Sequence, residues 1–250
     1  MSDNTTTPNV VQAWTAEIEG PQDFHEPPPV FDPIDVGQTI MVFQTPPEMV
    51  ERMNDIYDEL MPTGQLPKVS DDKQLHDEYS VYFDDDNDFT TNHNFIPEDI
   101  HRWIKDRIHQ YLQVKQVSYS GIKTHVSWIN DYGDSDFIPN HMHYGKLTNS
   151  LQEKTRHSVG LIGMLVLKVP TNMGGDRYDD DCAEFNKCGV LEFTTGNHPQ
   201  LQFAMDTVAI LVKTGTFVVF PYDMYHCVYP HFNKNETRRT MPTNIDVFEV

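Results

Sequence analysis

Residues 140–146 read NHMHYGK, which places His141 and His143 one residue apart. Alternate positions of an extended segment point to the same side, so the two imidazoles can converge on one point. The chain holds 12 histidines in 250 residues, and an H-x-H pair then arises by chance roughly two times in five. The pair needs a third partner before it carries chemistry, and His226 offers one. In KTGTFVVFPYDMYHCVYPHF, residues 213–232, a glycine opens an apolar strand, Pro221 closes it and His226 follows five residues later. An imidazole at such a strand end projects into the mouth of a barrel. Three imidazoles on one face of a metal leave its other positions open for substrate and cofactor, as non-haem ferrous oxygenation requires. Three histidines plus water are equally the ligand set of some catalytic zinc centres, where the metal makes bound water acidic.

Presenting these side chains from strand ends takes a β scaffold, and the chain reads that way after residue 117. Apolar strand patterns run through GIKTHVSWIN, SVGLIGMLVLKVP, GVLEFTT, TVAILVK, TFVVFPY and TRRTMPTNIDVFEV, with turn-rich segments between them. Before them TIMVFQT reads as a buried strand, and PPEMVERMNDIYDELM spaces Met49, Val50, Met53, Ile56, Tyr57, Leu60 and Met61 for one helix face. A second helix, PEDIHRWIKDRIHQYLQ, carries Ile100, Trp103, Ile104, Ile108, Tyr111 and Leu112 on one face. Pro97, Glu98 and Asp99 mark its start, where negative charge complements the helix dipole; His101 and His109 are expected on its surface. Two helices followed by a run of strands predict an α+β protein in which the helices support a mostly antiparallel sandwich or small barrel. Residues 1–36, rich in Thr, Asn, Asp, Glu and Pro, read as a flexible arm, and residues 37–250 as a single domain.

Composition narrows the partners. Eighteen basic residues against 38 acidic give a formal net charge of -20, which opposes nucleic acid and anionic membrane surfaces. The first twenty residues show neither a basic start nor an apolar stretch of signal-peptide length, so the expected location is cytoplasmic. Cys182 and Cys188, five residues between them, match no redox or common zinc spacing and read as reduced thiols. The segment TNMGGDRYDDDCAEFNKCG is too long for an ordinary hairpin and reads as a lid. Its Asp176, Asp179, Asp180 and Asp181 lack the spacing and closing glutamate of an EF-hand and read as a solvated acidic loop.

Beyond these local patterns, the succession Trp128-x-Asn130, His141-x-His143, IGMLVLKVP, GVLEF, GTFVVFPYDMYH, VYP and RRTMPTNIDV resembles the 2-oxoglutarate- and iron(II)-dependent oxygenase superfamily. It is most similar to a group of oxygenase-like proteins common in marine bacteria and phages. The resemblance spans roughly residues 120–248. It implies a double-stranded β-helix (jelly roll, cupin-like) with supporting N-terminal helices, Fe(II) and 2-oxoglutarate as cofactors, and hydroxylation of a small molecule or a protein residue. His141 matches the first metal ligand and His226 the distal one, while His143 stands where the family has Asp or Glu. Arg238 matches the arginine that holds the far carboxylate of the keto acid, since a guanidinium clamps a carboxylate through two parallel hydrogen bonds. Arg239 should then point to the opposite face, and Asn130 and Tyr132 should line the keto-acid pocket. Trp128 and Tyr222 read as wall or core residues; His125, His157, His198 and His231 read as bystanders.

Two departures from the family pattern leave alternatives open. A neutral imidazole in place of an anionic ligand makes the bound ion more positive and alters its competition with zinc; Asp131, Asp134 or Asp136 could instead supply a carboxylate. The segment YGKLTNSLQEKTRHS lengthens the usual spacing after His143 and reads as a second flap. A cupin-like metalloprotein with three histidines on iron or zinc and no keto acid, or a non-catalytic jelly-roll binding module, fits the same strands. Oligomeric state is not legible in the sequence.

Overall fold

In the computed structural model the residues described are 34–35, 38–69, 77–84, 90–143, 160–173, 187–194 and 207–249. The chain forms β1 (Ile34–Asp35), β2 (Thr39–Gln44), α1 (Pro47–Leu60), β3 (Asp77–Phe83), β4 (His93–Asn94) and α2 (Glu98–Val114). It continues as β5 (Tyr119–Tyr132), β6 (Ile138–His141), β7 (Gly160–Lys168), β8 (Leu191–Thr194) and β9 (Thr207–Ile210), and closes with β10 (Thr216–Pro221), β11 (His226–Val228) and β12 (Arg238–Glu249). One sheet runs β1-β2-β10-β7-β12-β5-β3-β4 and a second runs β6-β11-β8-β9. Every pairing is antiparallel. Among the described residues the two α-helices are the only ones, so the expected α+β class holds as mostly antiparallel sheets with few helices.

The larger sheet is buried on both faces, which explains why its central strands are continuous apolar runs rather than alternating ones. In β7, Leu161, Leu165 and Leu167 join the core beneath the helices, whereas Ile162, Met164 and Val166 join the core between the sheets. On the helix side α1 buries Val50, Met53 and Tyr57, and α2 buries Ile100, Ile104, Ile108, Tyr111 and Leu112. The three α2 isoleucines are fully enclosed, each worth about 1.5–3 kcal/mol relative to exposure. Pro46 and Pro47 start α1 where an amide donor is not needed. Met61, expected on the α1 face, falls in a 3-10 turn beyond it and is exposed; Gly64, at φ 70°, ends that turn.

Two polar residues on the helices depart from expectation. His101 and His109 are half-buried against β5, with His101 Nε2 3.0 Å from Thr124 Oγ1 and His109 Nδ1 2.6 Å from Tyr119 Oη. Arg107 is buried on α2, its guanidinium over the rings of Phe43 and Trp103 at 5.8 and 5.3 Å. Arg239 does point to the helix side. It binds both Asp131 oxygens at 2.7 and 3.0 Å, donates to Asn54 Oδ1 at 3.0 Å and lies 2.9 Å from Asp58 Oδ1.

Of the expected N-terminal arm, the described part is Ile34–Asp35, which pairs with Ile40 and Thr39. The acidic lid with Cys182 and its four aspartates, the flap after His143, and His157 and His198 lie outside the described residues. Cys188 and Cys227 are free thiols. No helix among the described residues is long and apolar enough to cross a membrane.

Candidate metal centre

The site begins with one register position. His141, the last residue of β6, lies opposite His226, the first residue of β11. His143 follows just beyond β6, and its backbone N–H donates to Tyr222 O at 2.9 Å, which fixes the segment between the sheets. One nitrogen from each of His141, His143 and His226 lies within 4.8 Å of the others. Ring centroids of His141 and His226 are 4.2 Å apart, and His143 and His226 stack at 5.1 Å with planes 8° apart.

Backbone carbonyls orient the rings. His141 Nδ1 lies 2.9 Å from Pro139 O and His226 Nδ1 lies 3.0 Å from Met224 O. A carbonyl accepts only, so each Nδ1 carries the proton and each Nε2 keeps its lone pair for a ligand. Burial, and secondarily the neighbouring imidazoles, hold His143 down to about 2 and His226 to about 3. The Asn244 side chain partly opposes the shift of His143. Both rings are therefore neutral at ordinary pH, the form that binds metals.

The expected carboxylate alternatives are placed elsewhere. Asp131 is engaged by Arg239, and Asp136 Oδ2 accepts from Gly133 N at 2.6 Å. Asp134 does not join the histidines: among the described residues the ligand cluster consists of imidazoles alone.

A cavity of about 420 Å³ opens beside the cluster, with Trp128, Asn130, Tyr132, Met164 and Phe220 among its walls. Asn130 and Tyr132 are thus both cavity-lining residues. Asn130 Nδ2 donates to Tyr132 Oη at 3.0 Å, and its buried Oδ1 has no hydrogen-bond partner. Burial pushes the Tyr132 phenol up to about 12, with Arg238 the largest opposing influence. Arg238 is enclosed next to Tyr132 rather than on the cavity surface, its guanidinium carbon 5.7 Å from the Tyr132 ring centroid. Its Nη1 donates to Gly189 O at 2.7 Å, while Nε and Nη2 are buried without hydrogen-bond partners. Burial lowers Arg238 to about 10, so it stays charged. A buried charge with two unpaired donors is costly, and its chemistry calls for a carboxylate.

Sequence reading missed Glu78, Phe137, Met164, Pro242 and Asn244. Two-residue periodicity could have found the last two, because Arg238, Thr240, Pro242 and Asn244 share one face of β12. His125 and His231 are structural: His125 Nδ1 lies 3.3 Å from Asp246 Oδ2, and His231 Nε2 donates to Tyr132 O at 2.9 Å.

Neither a protein-family model nor a curated protein sequence matches the chain. Solved structures do resemble it. A Pseudomonas putida prolyl-4-hydroxylase superposes with a TM-score of 0.51 at 11% identity, covering 84% of this chain and 92% of that one. An oxidoreductase of the 2OG-Fe(II) oxygenase family from Burkholderia pseudomallei gives 0.52 at 12% identity, covering 85% of each chain. HygX from Streptomyces hygroscopicus, solved with nickel and 2-oxoglutarate bound, gives 0.50 at 11% identity, covering 83% and 82%. At such identities the likeness is one of fold: this chain has the fold of 2OG-Fe(II) oxygenase structures.

Proposed function

We propose that the protein is a metal- and 2-oxoglutarate-dependent oxygenase, a hydroxylase of a small molecule or a protein residue. In this reading the two sheets are the halves of a double-stranded β-helix, and residues 37–250 form one domain. His141, His143 and His226 would hold Fe(II), and Arg238, with Tyr132 and Asn130, would hold 2-oxoglutarate. The observation that carries the reading is Arg238, a charged, enclosed guanidinium whose Nε and Nη2 have no partner, in the same intersheet core as three converging imidazoles. The fold shared with 2OG-Fe(II) oxygenases, one of them solved with nickel and 2-oxoglutarate, agrees with it.

The bound metal and keto acid would supply the oxidising chemistry by oxidative decarboxylation; the protein supplies position and dryness. Pro139 O and Met224 O keep the Nε2 lone pairs of His141 and His226 turned inward. The Tyr222 carbonyl holds the His143 backbone. Arg238 would take the far carboxylate through its two unpaired donors, and the Tyr132 phenol, protonated at all ordinary pH, adds a hydroxyl there. Met164, Phe220 and Val228 wall the cavity with hydrocarbon and limit water.

The all-imidazole ligand set favours a second reading, a three-histidine metalloprotein that uses no keto acid. Anaerobic addition of Fe(II) and then 2-oxoglutarate separates the two. Oxygenase chemistry gives a visible metal-to-ligand charge-transfer band that needs both additions and disappears in Arg238→Ala while metal uptake persists. Metal uptake without a band in the wild type selects the second reading.

A further inference from the structure

Glu78 lies on β3 opposite Asn130, on the face turned toward the second sheet, and lines the cavity next to the three imidazoles. Among the described lining residues it is the single carboxylate, and none is Lys or Arg. Aromatic surface accompanies it: Trp128 and Phe137 line the same space, and Phe137 is 39% exposed at its edge. A carboxylate beside aromatic faces is the chemistry that receives an organic cation. Across the sheet β3 is separated from β12 by β5 alone, so Glu78 and Arg238 start from strands about 10 Å apart. The intersheet space is thereby polarised, with a cation at the β12 side suited to an acid and an anion at the β3 side suited to a base. The protein's net charge of -20 draws cations toward it as well.

Register sets the length of such a ligand. Glu78, Asn130 and Thr240 form one row across three strands. Asn244, the β12 residue on the His143 side of the row, lies four positions from Thr240 along that strand, about 13 Å at the usual strand rise. Side chains reach in from both ends of that interval. A cation on an extended aliphatic stem bridges it, and a compact one such as methylammonium does not.

We propose that the cavity takes a substrate bearing an alkylammonium or guanidinium group, which docks on Glu78 against Trp128 and Phe137 while its stem runs to His141, His143 and His226. The proposal names the substrate class of the oxygenase reading and rests on it. A free amine and a basic side chain of a polypeptide share this chemistry.

Calorimetric titration of the full-length protein, metal-free and loaded with Ni(II) and 2-oxoglutarate, tests it. The probes are the Nα-acetyl methylamides of lysine, norleucine and glutamate, and a heptapeptide centred on lysine. The lysine probe should bind about tenfold tighter than its norleucine counterpart, Glu78→Gln should bring the ratio close to one, and Glu78→Lys should reverse the preference toward the glutamate probe. Tighter binding of the heptapeptide than of the lysine probe assigns the cation to a polypeptide, and equal binding assigns it to a small molecule. Equal affinity for lysine and norleucine probes, or a ratio that survives Glu78→Gln, overturns the proposal. Uptake of nickel and 2-oxoglutarate is read in the same samples. If both are retained while the preference is missing, the Glu78 assignment alone fails. A preference in protein that takes up neither ligand overturns the oxygenase reading and leaves the cation site standing.

Discussion

The Nε2 atoms of His143 and His226 face each other at 3.3 Å. His226 carries its proton on Nδ1, toward Met224 O, so its Nε2 presents a lone pair. Metal–nitrogen bonds of about 2.1 Å at octahedral or tetrahedral angles separate neighbouring ligand nitrogens by about 3.0–3.4 Å. The observed spacing matches the one that two ligands of a shared ion would have, and the two rings stack with their planes 8° apart.

Removing one imidazole should therefore remove the ion. His226→Ala is expected to lower Co(II) affinity by about 100-fold or more in equilibrium dialysis. His143→Asp should keep binding and raise the preference for Fe(II) over Zn(II) about tenfold, since it restores an anionic oxygen donor. Metal uptake by His226→Ala equal to that of the wild type would place the ion elsewhere.

Arg239 ties α1 to the large sheet. Its guanidinium lies 4.3 Å from the Tyr57 ring centroid and is held by the largely buried Asp131. Arg239→Met leaves that carboxylate without its partner and should cost about 3 kcal/mol in urea unfolding. Asp58, 65% exposed on the far side of the same arginine, contributes little, and Asp58→Ala should cost under about 1 kcal/mol. Equal losses in the two variants would contradict this division.

The same arginine pair shows what was legible in the sequence. Adjacent residues in a strand face opposite ways, so Arg238 and Arg239 had to part, one between the sheets and one toward the helices. The apolar runs of β7 and β10 and the spacing of α1 and α2 were readable for the same reason: each pattern is set by local geometry. Glu78 was not readable, because its place depends on which strand β3 pairs with, and that partner lies about fifty residues downstream in β5. His101 misled because its helix face is set by packing against Thr124 and Tyr82 rather than by its own hydropathy. Arg238 matched its motif, but its position next to Tyr132 depends on three strands and a loop carbonyl from Gly189.

His101 should make stability depend on pH. Burial, and then the charge of Lys105, hold it at about 4 in the folded protein, against about 6.5 unfolded. The unfolded chain binds the proton more readily, so the full stability is present above about pH 6.5, falls as pH drops and levels off below about 4. Partial solvent access limits the loss to about 1 kcal/mol. His101→Gln can keep a hydrogen bond to Thr124 without titrating, and urea midpoints between pH 4 and 7 should vary less for it. An unchanged pH slope would remove His101 as the source.

Gly160 couples the large sheet to the candidate centre. A Cβ at this position would lie 2.1 Å from Cε2 of Tyr222 and 2.7 Å from the backbone oxygen of Ile245. The ring cannot yield freely, because Tyr222 Oη donates to the buried Asp246 at 3.1 Å. Tyr222 N donates to Gly160 O at 3.1 Å, and Tyr222 O accepts from His143 N at 2.9 Å. Displacing Tyr222 thus moves the backbone that carries one imidazole of the candidate centre. Gly160→Ala should cost about 2 kcal/mol in stability through overpacking and weaken Co(II) binding about tenfold. Tyr222→Phe keeps the ring and both backbone bonds but deletes the donor to Asp246, so it should cost about 1 kcal/mol and leave Co(II) affinity unchanged. If Gly160→Ala is destabilised yet binds Co(II) like the wild type, the Tyr222 backbone does not position His143.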